Sequence, residues 1–328
     1  MKIYFSSCVG SSSDSIYYSE LSRLARLCRT ETTILVSTPE EADLILIIDI
    51  YETNWYSNLR RNPIWKQWPE KSYAYQEGNY PVPFLHGLYS SPPNSWTGSG
   101  RFRACAYPVT QLSFPNPCPP SVEMSAGPKD LLFSFSGRAS HPVRKRLFEL
   151  VFPTEDTVIE DTSAYDHFHC TAQQRTSASR HYWELVRRSK YALCPRGSAV
   201  SSIRLFEMME TGTAPVIISD DWMPPMGPKW EEFALFIPER EIGSLYEKIK
   251  AHEAEYIQRG ELARKAWEQY FSSENHWEFI MASLRHIKKQ QKYPEIVYVR
   301  ALVLLLVQSW LRPKIEALKW RIRAVIRK

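Results

Sequence analysis

The sequence predicts two Rossmann-like α/β domains followed by an amphipathic helical tail. Apolar runs without polar alternation are typical of strands covered on both faces of a parallel sheet, and they occur in both halves of the chain. After the first such run, leucines recur at helical spacing, which indicates a strand followed by a helix. With 328 residues, the chain is long enough for two domains with sizeable cores.

The N-terminal half begins with a βαβ rhythm. We expect a strand at Lys2–Phe5, a helix at Ile16–Cys28 and a buried strand at Ala42–Ile50. Residues 51–120 are rich in Pro, Trp, Tyr and Asn and lack long periodicity, which indicates long loops over an acceptor site. A proline-bearing stretch at 115–127 is the predicted hinge, giving domains at 1–125 and 126–290 and a tail at 291–328.

The most informative stretch of the second half is 190–225. Tyr191–Cys194 predicts a buried strand that Pro195 and Gly197 end. A helix is expected to start near Ser201 or Ser202 and to end at Gly212 as its C-terminal cap, before a second buried strand at 214–219. A helix that begins directly after a strand and a glycine turn presents free N–H groups and a positive dipole end, which attract phosphate.

The spacing of residues on this helix predicts that the phosphate site binds a nucleotide. Ser201, Arg204 and Glu207 share one helix face. Arg204 would bond a phosphate oxygen, with Arg196 as a second cation, and Glu207 would accept two ribose hydroxyls. The alternative is an ordinary surface ion pair between Arg204 and Glu207 that contributes about 0.3 kcal/mol.

These residues resemble the C-terminal half of the exostosin family of glycosyltransferases. The resemblance rests on Cys194, Pro195 and Gly197, on Ser202, Arg204 and Glu207, and on Gly212 followed by Pro215–Asp220. A weaker similarity lies in the strand Leu131–Phe135 with Gly137, Arg138 and Arg144. The resemblance as a whole covers about half of the chain.

The resemblance implies a GT-B fold and a transferase of polysaccharide biosynthesis that uses an activated sugar nucleotide. UDP-sugars are favoured as donors, hexosyl or uronosyl transfer is expected, and the acceptor would be a glycan or a lipid-linked saccharide. No obligatory metal, no cofactor and inversion at the sugar carbon are implied. The expected donor-binding residues are Gly137, Arg138, Arg144, Pro195, Gly197, Ser201, Ser202, Arg204, Glu207 and Asp220.

The catalytic base is expected in the N-terminal half. Inverting transfer needs a carboxylate or imidazole to remove the acceptor hydroxyl proton, and Glu77 and His86 are the candidates, with Arg204 stabilising the leaving diphosphate. Each base candidate has a structural alternative, because Glu77 precedes Gly78 and His86 precedes Gly87, as in turns and loops.

Composition bounds the partners and the location. The net charge of +5 is modest, so nucleic acid is not expected as a partner. Six cysteines without CxxC spacing, no Asn-x-Ser/Thr acceptor and a polar N-terminus favour a cytoplasmic location. The HxH pattern around His167 lacks a matching second pair of ligands, so no metal site is expected.

The predicted tail is basic and amphipathic. Its apolar run, 301–307, is far shorter than the roughly 20 residues that span a bilayer. Tryptophans at 310 and 320 among repeated Lys and Arg favour contact with the inner face of a membrane. The alternative is a helix packed back across the N-terminal domain.

Two rival functions remain open at this point. One is a non-catalytic module of the same fold that binds glycan or nucleotide. The other is a fucosyltransferase-like GT-B enzyme using GDP-fucose, although Pro195, Arg196 and Gly197 stand where that class has acidic and asparagine residues.

Overall fold

A computed structural model describes residues 1–28, 33–51, 53–113, 129–165 and 170–291. Within these ranges the chain forms two parallel sheets, of six and five strands, with helices packed against them. The predicted α/β class with two Rossmann-like domains is confirmed. The predicted hinge at 115–127 and the tail from 292 onward lie outside the described residues.

The first sheet has the strand order β2-β1-β3-β4-β5-β6. Every neighbouring pair is parallel. The strands are β1 Lys2–Ser7, β2 Ile34–Leu35, β3 Leu44–Ile48, β4 Ser72–Gln76, β5 Gly87–Tyr89 and β6 Phe102–Ala104.

The prediction of long loops at residues 51–120 was wrong for three segments of this region, which form strands. β4, β5 and β6 all lie in this region and complete the first sheet. They are only three to five residues long, so they carry too few positions for a periodic signal. At Gly87 a Cβ would come within 2.2 Å of the Ala74 backbone oxygen, so close pairing with β4 requires glycine there.

Helices of the first half cover this sheet. They are α1 Ile16–Leu27, α2 Thr53–Arg61, α3 Pro63–Gln67 and α4 Pro108–Ser113. Helix α1 starts where Ser15 accepts a hydrogen bond from the Tyr18 N–H, and it ends at Cys28, as predicted. The start of α2 is left-handed at Asn54, Trp55 and Tyr56, with φ near 50°.

The second sheet has the order β11-β10-β9-β7-β8 and is also parallel throughout. Its strands are β7 Leu131–Gly137, β8 Thr157–Asp161, β9 Ser189–Pro195, β10 Ala214–Ile218 and β11 Leu235–Phe236. The helices that follow its strands are α5 Pro142–Phe148, α6 Ala172–Arg188, α7 Ile203–Thr211, α8 Trp230–Phe233, α9 Leu245–Lys250 and α10 Tyr256–Tyr270.

Helix α11 (His276–Gln290) returns to the first sheet, although the sequence interpretation grouped it with the second domain. It packs against α1, β5 and β6, and the Trp277 ring lies 6.1 Å from that of Phe5. Its periodicity shows which face is buried but not which sheet covers that face. One hydrophobic cluster therefore runs from the first sheet through α11 to Phe206 and Trp183 of the second half.

A second contact joins the halves after β10. The Asn94 N–H donates to the Asp221 carbonyl over 2.8 Å, and Pro93 and Trp222 form an isolated antiparallel bridge. Met223 is buried among side chains of the first domain. The two halves thus contact each other through α11 and through the loop after β10, and a cleft lies between the two sheets.

Candidate active site

The cleft between the sheets has a volume of about 940 Å³ and is lined by residues of both halves. In both sheets, lining residues follow the carboxyl ends of strands: Glu77 after β4, Arg138 after β7 and Gly197 after β9. In open α/β sheets, ligands bind outside these ends.

The turn after β9 leads into α7 as the sequence predicts. Ser202 is the N-cap residue, and Gly212 ends the helix with a left-handed φ of 69°. Gly197, Ser201 and Ser202 all line the cleft. The first turn of α7, where a helix leaves backbone N–H groups without helical partners, therefore begins at the cleft.

Arg144 holds the turn after β9 in place. Its Nε donates to the Arg196 carbonyl over 3.0 Å, and its Nη2 donates to the Pro195 carbonyl over 2.9 Å. Burial, and then the charge of Arg204, lower the pKa of Arg144 to about 9. Arg144 also lines the cleft, so its predicted phosphate contact stays a prediction, while these two donors position the turn.

Arg204 is half-buried between two aromatic rings. Its guanidinium carbon lies 4.5 Å from the Phe135 ring centre and 5.2 Å from that of Tyr182. Nε donates to the Tyr182 hydroxyl over 3.2 Å, and Nη2 donates to the Ser136 carbonyl. Nη1 is buried and has no hydrogen-bond partner in the described part of the chain. A fixed, desolvated cation with a free donor thus borders the cleft.

Glu207 lines the cleft one helical turn after Arg204. The Tyr182 hydroxyl donates to Glu207 Oε2 over 2.8 Å. Burial raises the pKa of Glu207, while the Tyr182 hydrogen bond and the Arg204 charge oppose that rise. The structure does not show a surface ion pair, because both side chains are half-buried and are connected through the Tyr182 hydroxyl.

Tyr182 is a site residue that the sequence interpretation missed. It lies on α6, whose residues Arg175, Ala178, Ser179 and Tyr182 all line the cleft. Their spacing of three and four places them on one helix face. This spacing was a detectable signal, but nothing in the sequence showed that this face points to α7.

Glu77 lies across the cleft from α7 and is only 7% exposed. Its Oε1 accepts hydrogen bonds from the Tyr75 hydroxyl (2.9 Å) and the Val109 N–H (3.1 Å), and its Oε2 accepts one from the Thr110 N–H (2.7 Å). Burial nevertheless raises the pKa of Glu77 to about 7. A carboxylate with such a pKa can take up a proton near neutral pH.

His86, the other candidate base, does not reach the cleft. It is 1% exposed, and its ring lies 4.0 Å from the Tyr73 ring, edge to face. His86 precedes β5 and so lies at the amino end of that strand, whereas the cleft is at the carboxyl ends. The structure gives the His86 hypothesis no support.

Three other expected donor-side residues lie outside the cleft lining. The Asp220 carboxylate accepts from the Glu239 N–H over 2.9 Å, so Asp220 joins two loops of the second domain. Arg196 Nη1 lies 3.9 Å from Glu239 Oε1. Pro195 contributes its carbonyl to Arg144. By contrast, Gly137 and Arg138 do line the cleft.

Ser201 lines the cleft at the start of α7. Tyr107 of the first domain packs beside this helix, because its ring lies 5.8 Å from the Phe206 ring of α7 and its hydroxyl bonds that of Ser91 over 2.8 Å. Tyr107 belongs to the segment before α4, so α7 contacts the same element that Glu77 holds.

Within the described ranges, no group of three or more His, Cys, Asp or Glu side chains could hold a metal ion. Of the HxH pattern, residues 166–169 lie outside the described residues. In the same ranges, helices long and apolar enough to cross a membrane are absent.

Comparison of the sequence with known proteins shows which family it resembles. Residues 90–251 match the family model of the Exostosin GT47 domain. The Exostosin-1 homolog of Caenorhabditis elegans is 28% identical over 116 residues, which are 34% of this chain and 30% of that protein. A probable glucuronosyltransferase of Oryza sativa subsp. japonica is 41% identical over 66 residues, 20% of this chain and 16% of that protein. The matched segments thus span less than a third of these relatives.

Among solved structures, MurG of Acinetobacter baumannii aligns with 89% of this chain and 99% of its own, at 12% identity and a TM-score of 0.34. The two parallel sheets define an α/β protein with a cleft between its domains. The sequence matches confirm the predicted resemblance to the exostosin-like glycosyltransferases.

Proposed function

We propose that this chain transfers a sugar from a nucleoside-diphosphate sugar, with UDP-sugars favoured, to a glycan or lipid-linked saccharide. The observation that carries the proposal is the half-buried Arg204, held between two rings and lining a cleft of 940 Å³ at the start of α7, with Nη1 unpaired in the described part of the chain.

The diphosphate is placed against Arg204 and the first turn of α7. The free Nη1 donor and the helix N–H groups stabilise the negative charge that develops on the leaving group. This charge replaces a metal ion, so transfer proceeds without one. Glu207, further along the same helix, accepts the ribose hydroxyls.

The acceptor is placed on the side of Glu77. The Glu77 carboxylate takes the proton from the acceptor hydroxyl as its oxygen bonds to the sugar carbon, and the bond from that carbon to the diphosphate oxygen breaks. Attack from the face opposite the diphosphate inverts the sugar carbon. The position of Glu77 across the cleft from α7 supports this geometry.

The names of two relatives suggest which sugar donors to test first. One relative is called a probable glucuronosyltransferase and the other a probable β-1,4-xylosyltransferase. UDP-glucuronate, which agrees with the expected uronosyl transfer, and UDP-xylose, which would be pentosyl transfer, are therefore the first donors to test. The cytoplasmic location and the membrane contact of the tail stay predictions.

Thermal unfolding tests the proposal, because a ligand that binds the native state raises the midpoint. We expect a rise with UDP-sugars in the presence of EDTA, absent in Glu207→Ala, and release of UDP when saccharide acceptors are added. A rise with GDP-fucose alone would favour the fucosyltransferase alternative. Binding without transfer to any acceptor would favour a non-catalytic module, and no binding would contradict the proposal.

A further inference from the structure

The Tyr182 hydroxyl lies between the two charged groups of the candidate donor site. It accepts a hydrogen bond from Arg204 Nε over 3.2 Å and donates a hydrogen bond to Glu207 Oε2 over 2.8 Å. A hydroxyl has one proton to donate and lone pairs to accept with, so it can serve both groups at once.

Within the described ranges, the Tyr182 hydroxyl is the side-chain group that hydrogen-bonds both charged groups. Arg204 is further fixed by the Ser136 carbonyl and the Phe135 ring, both of β7. The tyrosine is therefore the element that sets the separation and orientation of the cation and the carboxylate.

We infer that Tyr182 is a positioning residue of the donor site, whose hydroxyl aligns Arg204 with the diphosphate and keeps Glu207 ionised to accept the ribose hydroxyls. This inference rests on the proposed function. Tyr182 itself need not touch the sugar, because it acts through the two side chains that it bonds.

The ionisation of Glu207 gives the inference a distinct signature. The groups that face Glu207 are Tyr182 of α6, Arg204 and Glu210 of α7, and Cys194 of β9. Burial keeps the Tyr182 and Cys194 protons bound at neutral pH, because it raises the pKa of both groups. Arg204 and the Tyr182 hydroxyl are thus the groups that favour the carboxylate against burial.

Tyr182→Phe removes the hydroxyl and keeps the ring that packs on Arg204. Glu207 then loses a hydrogen bond to its charged form, so it takes up a proton at higher pH. Affinity for UDP should fall about tenfold at neutral pH, and the pH below which binding is lost should rise by about one unit. Tyr182→Met, whose flexible side chain fills irregular space, is the second variant without the hydroxyl and should give the same shift.

Titration of UDP into the full chain between pH 5 and 9 measures both quantities. Tyr246→Phe is the matched control, since its hydroxyl bonds an acidic side chain, Asp156, outside the cleft. In a Glu207→Gln background, Tyr182→Phe should no longer move the pH dependence.

The outcomes separate this inference from the proposed function. A wild-type chain that binds none of UDP, GDP and CDP overturns both. UDP binding by the wild type together with an unchanged pH limit in the Phe and Met variants overturns the inference alone. A loss of affinity that is equal at every pH also overturns it, because Tyr182 would then be only a packing residue.

Discussion

At the residue scale, the chemistry of Arg204 and Glu207 depends on the side chains packed around them, and not on their residue types alone. Arg204 and Glu207 are at helical spacing, and such a pair on a surface contributes little. Here their neighbours are aromatic rings and the Tyr182 hydroxyl, so each charge is held in one geometry facing the cleft. The sequence predicted both residues, but not that Phe135 of β7 and Tyr182 of α6 pack against them.

Arg204→Lys keeps the charge but loses the planar fork of donors. We expect the affinity for UDP to fall about 10- to 100-fold, since a charge-assisted hydrogen bond is worth about 1.5–3 kcal/mol. The affinity for uridine should stay the same, because uridine has no diphosphate. Isothermal titration measures both ligands. Arg264→Lys is the control, because Arg264 also lies over a ring, that of Trp267, 4.7 Å away. Equal losses for UDP and uridine would place the diphosphate elsewhere.

Glu77 predicts the pH dependence of transfer. A base must be ionised to accept a proton, and burial raises the pKa of Glu77 to about 7. The value of kcat/KM should therefore rise with pH through about 7, and Glu77→Gln should lower kcat by about 10²–10⁴. In His86→Gln, the midpoint of the profile should stay where it is. A wild-type profile that is flat from pH 5 to 8 would exclude Glu77 as the base.

The same carboxyl also predicts a pH dependence of stability. Its pKa rises from 4.5 to about 7 on folding, so the folded state binds the proton more tightly. Its contribution to stability is complete below pH 4.5 and is lost as pH rises through 7, by about 3 kcal/mol. Glu77→Gln should remove this slope in denaturant titrations at pH 5 and 8. A slope that is unchanged in the variant would show that Glu77 is ionised at pH 5.

At the element scale, the turn between β9 and α7 is the structural basis of the donor site. Its start, its cap and its glycines were predictable, because Pro, Gly and Ser report local backbone geometry. The short strands β4 to β6 were not, since three to five residues carry no periodic signal. Their position matters, because β4 delivers Glu77 to the cleft.

Gly197→Ala tests how tightly this turn is packed. A Cβ at this position would lie 3.0 Å from Ser140 Oγ and 3.2 Å from Arg144 Nη2, so Arg144 must shift and release the turn. Affinity for UDP should drop about tenfold, with a loss of stability near 1 kcal/mol. Gly243→Ala is the control, because nothing lies within 4 Å of its Cβ position. Titration calorimetry and thermal unfolding compare the two, and unchanged UDP binding in Gly197→Ala would show that the turn tolerates the shift.

At the scale of the whole molecule, the two sheets share one hydrophobic cluster. Helix α11 follows the second domain in sequence but packs on the first sheet, with Trp277 1% exposed. Sequence periodicity identified neither this crossing nor the contact after β10, because both depend on how the two sheets meet. These contacts fix the walls of the cleft.

Trp277→Ala should lower the free energy of unfolding by about 3–5 kcal/mol, because it leaves a large cavity in that shared cluster. Both halves should be affected together, so calorimetry should show one transition that moves as a whole. Ile257→Ala, at a position that is 59% exposed, should change the free energy by no more than about 0.5 kcal/mol. Two separate transitions, with only one of them shifted in Trp277→Ala, would show that the halves unfold independently.

The central claim is that the cleft holds a nucleoside diphosphate between Arg204 and Glu207. A crystal structure of the full chain grown with UDP and EDTA tests it most directly. The account predicts a phosphate oxygen within hydrogen-bond distance of Arg204 Nη1, beside the first turn of α7, and the ribose hydroxyls on Glu207. UDP bound away from both side chains, or bound through a residual metal ion in place of Arg204, would contradict the account.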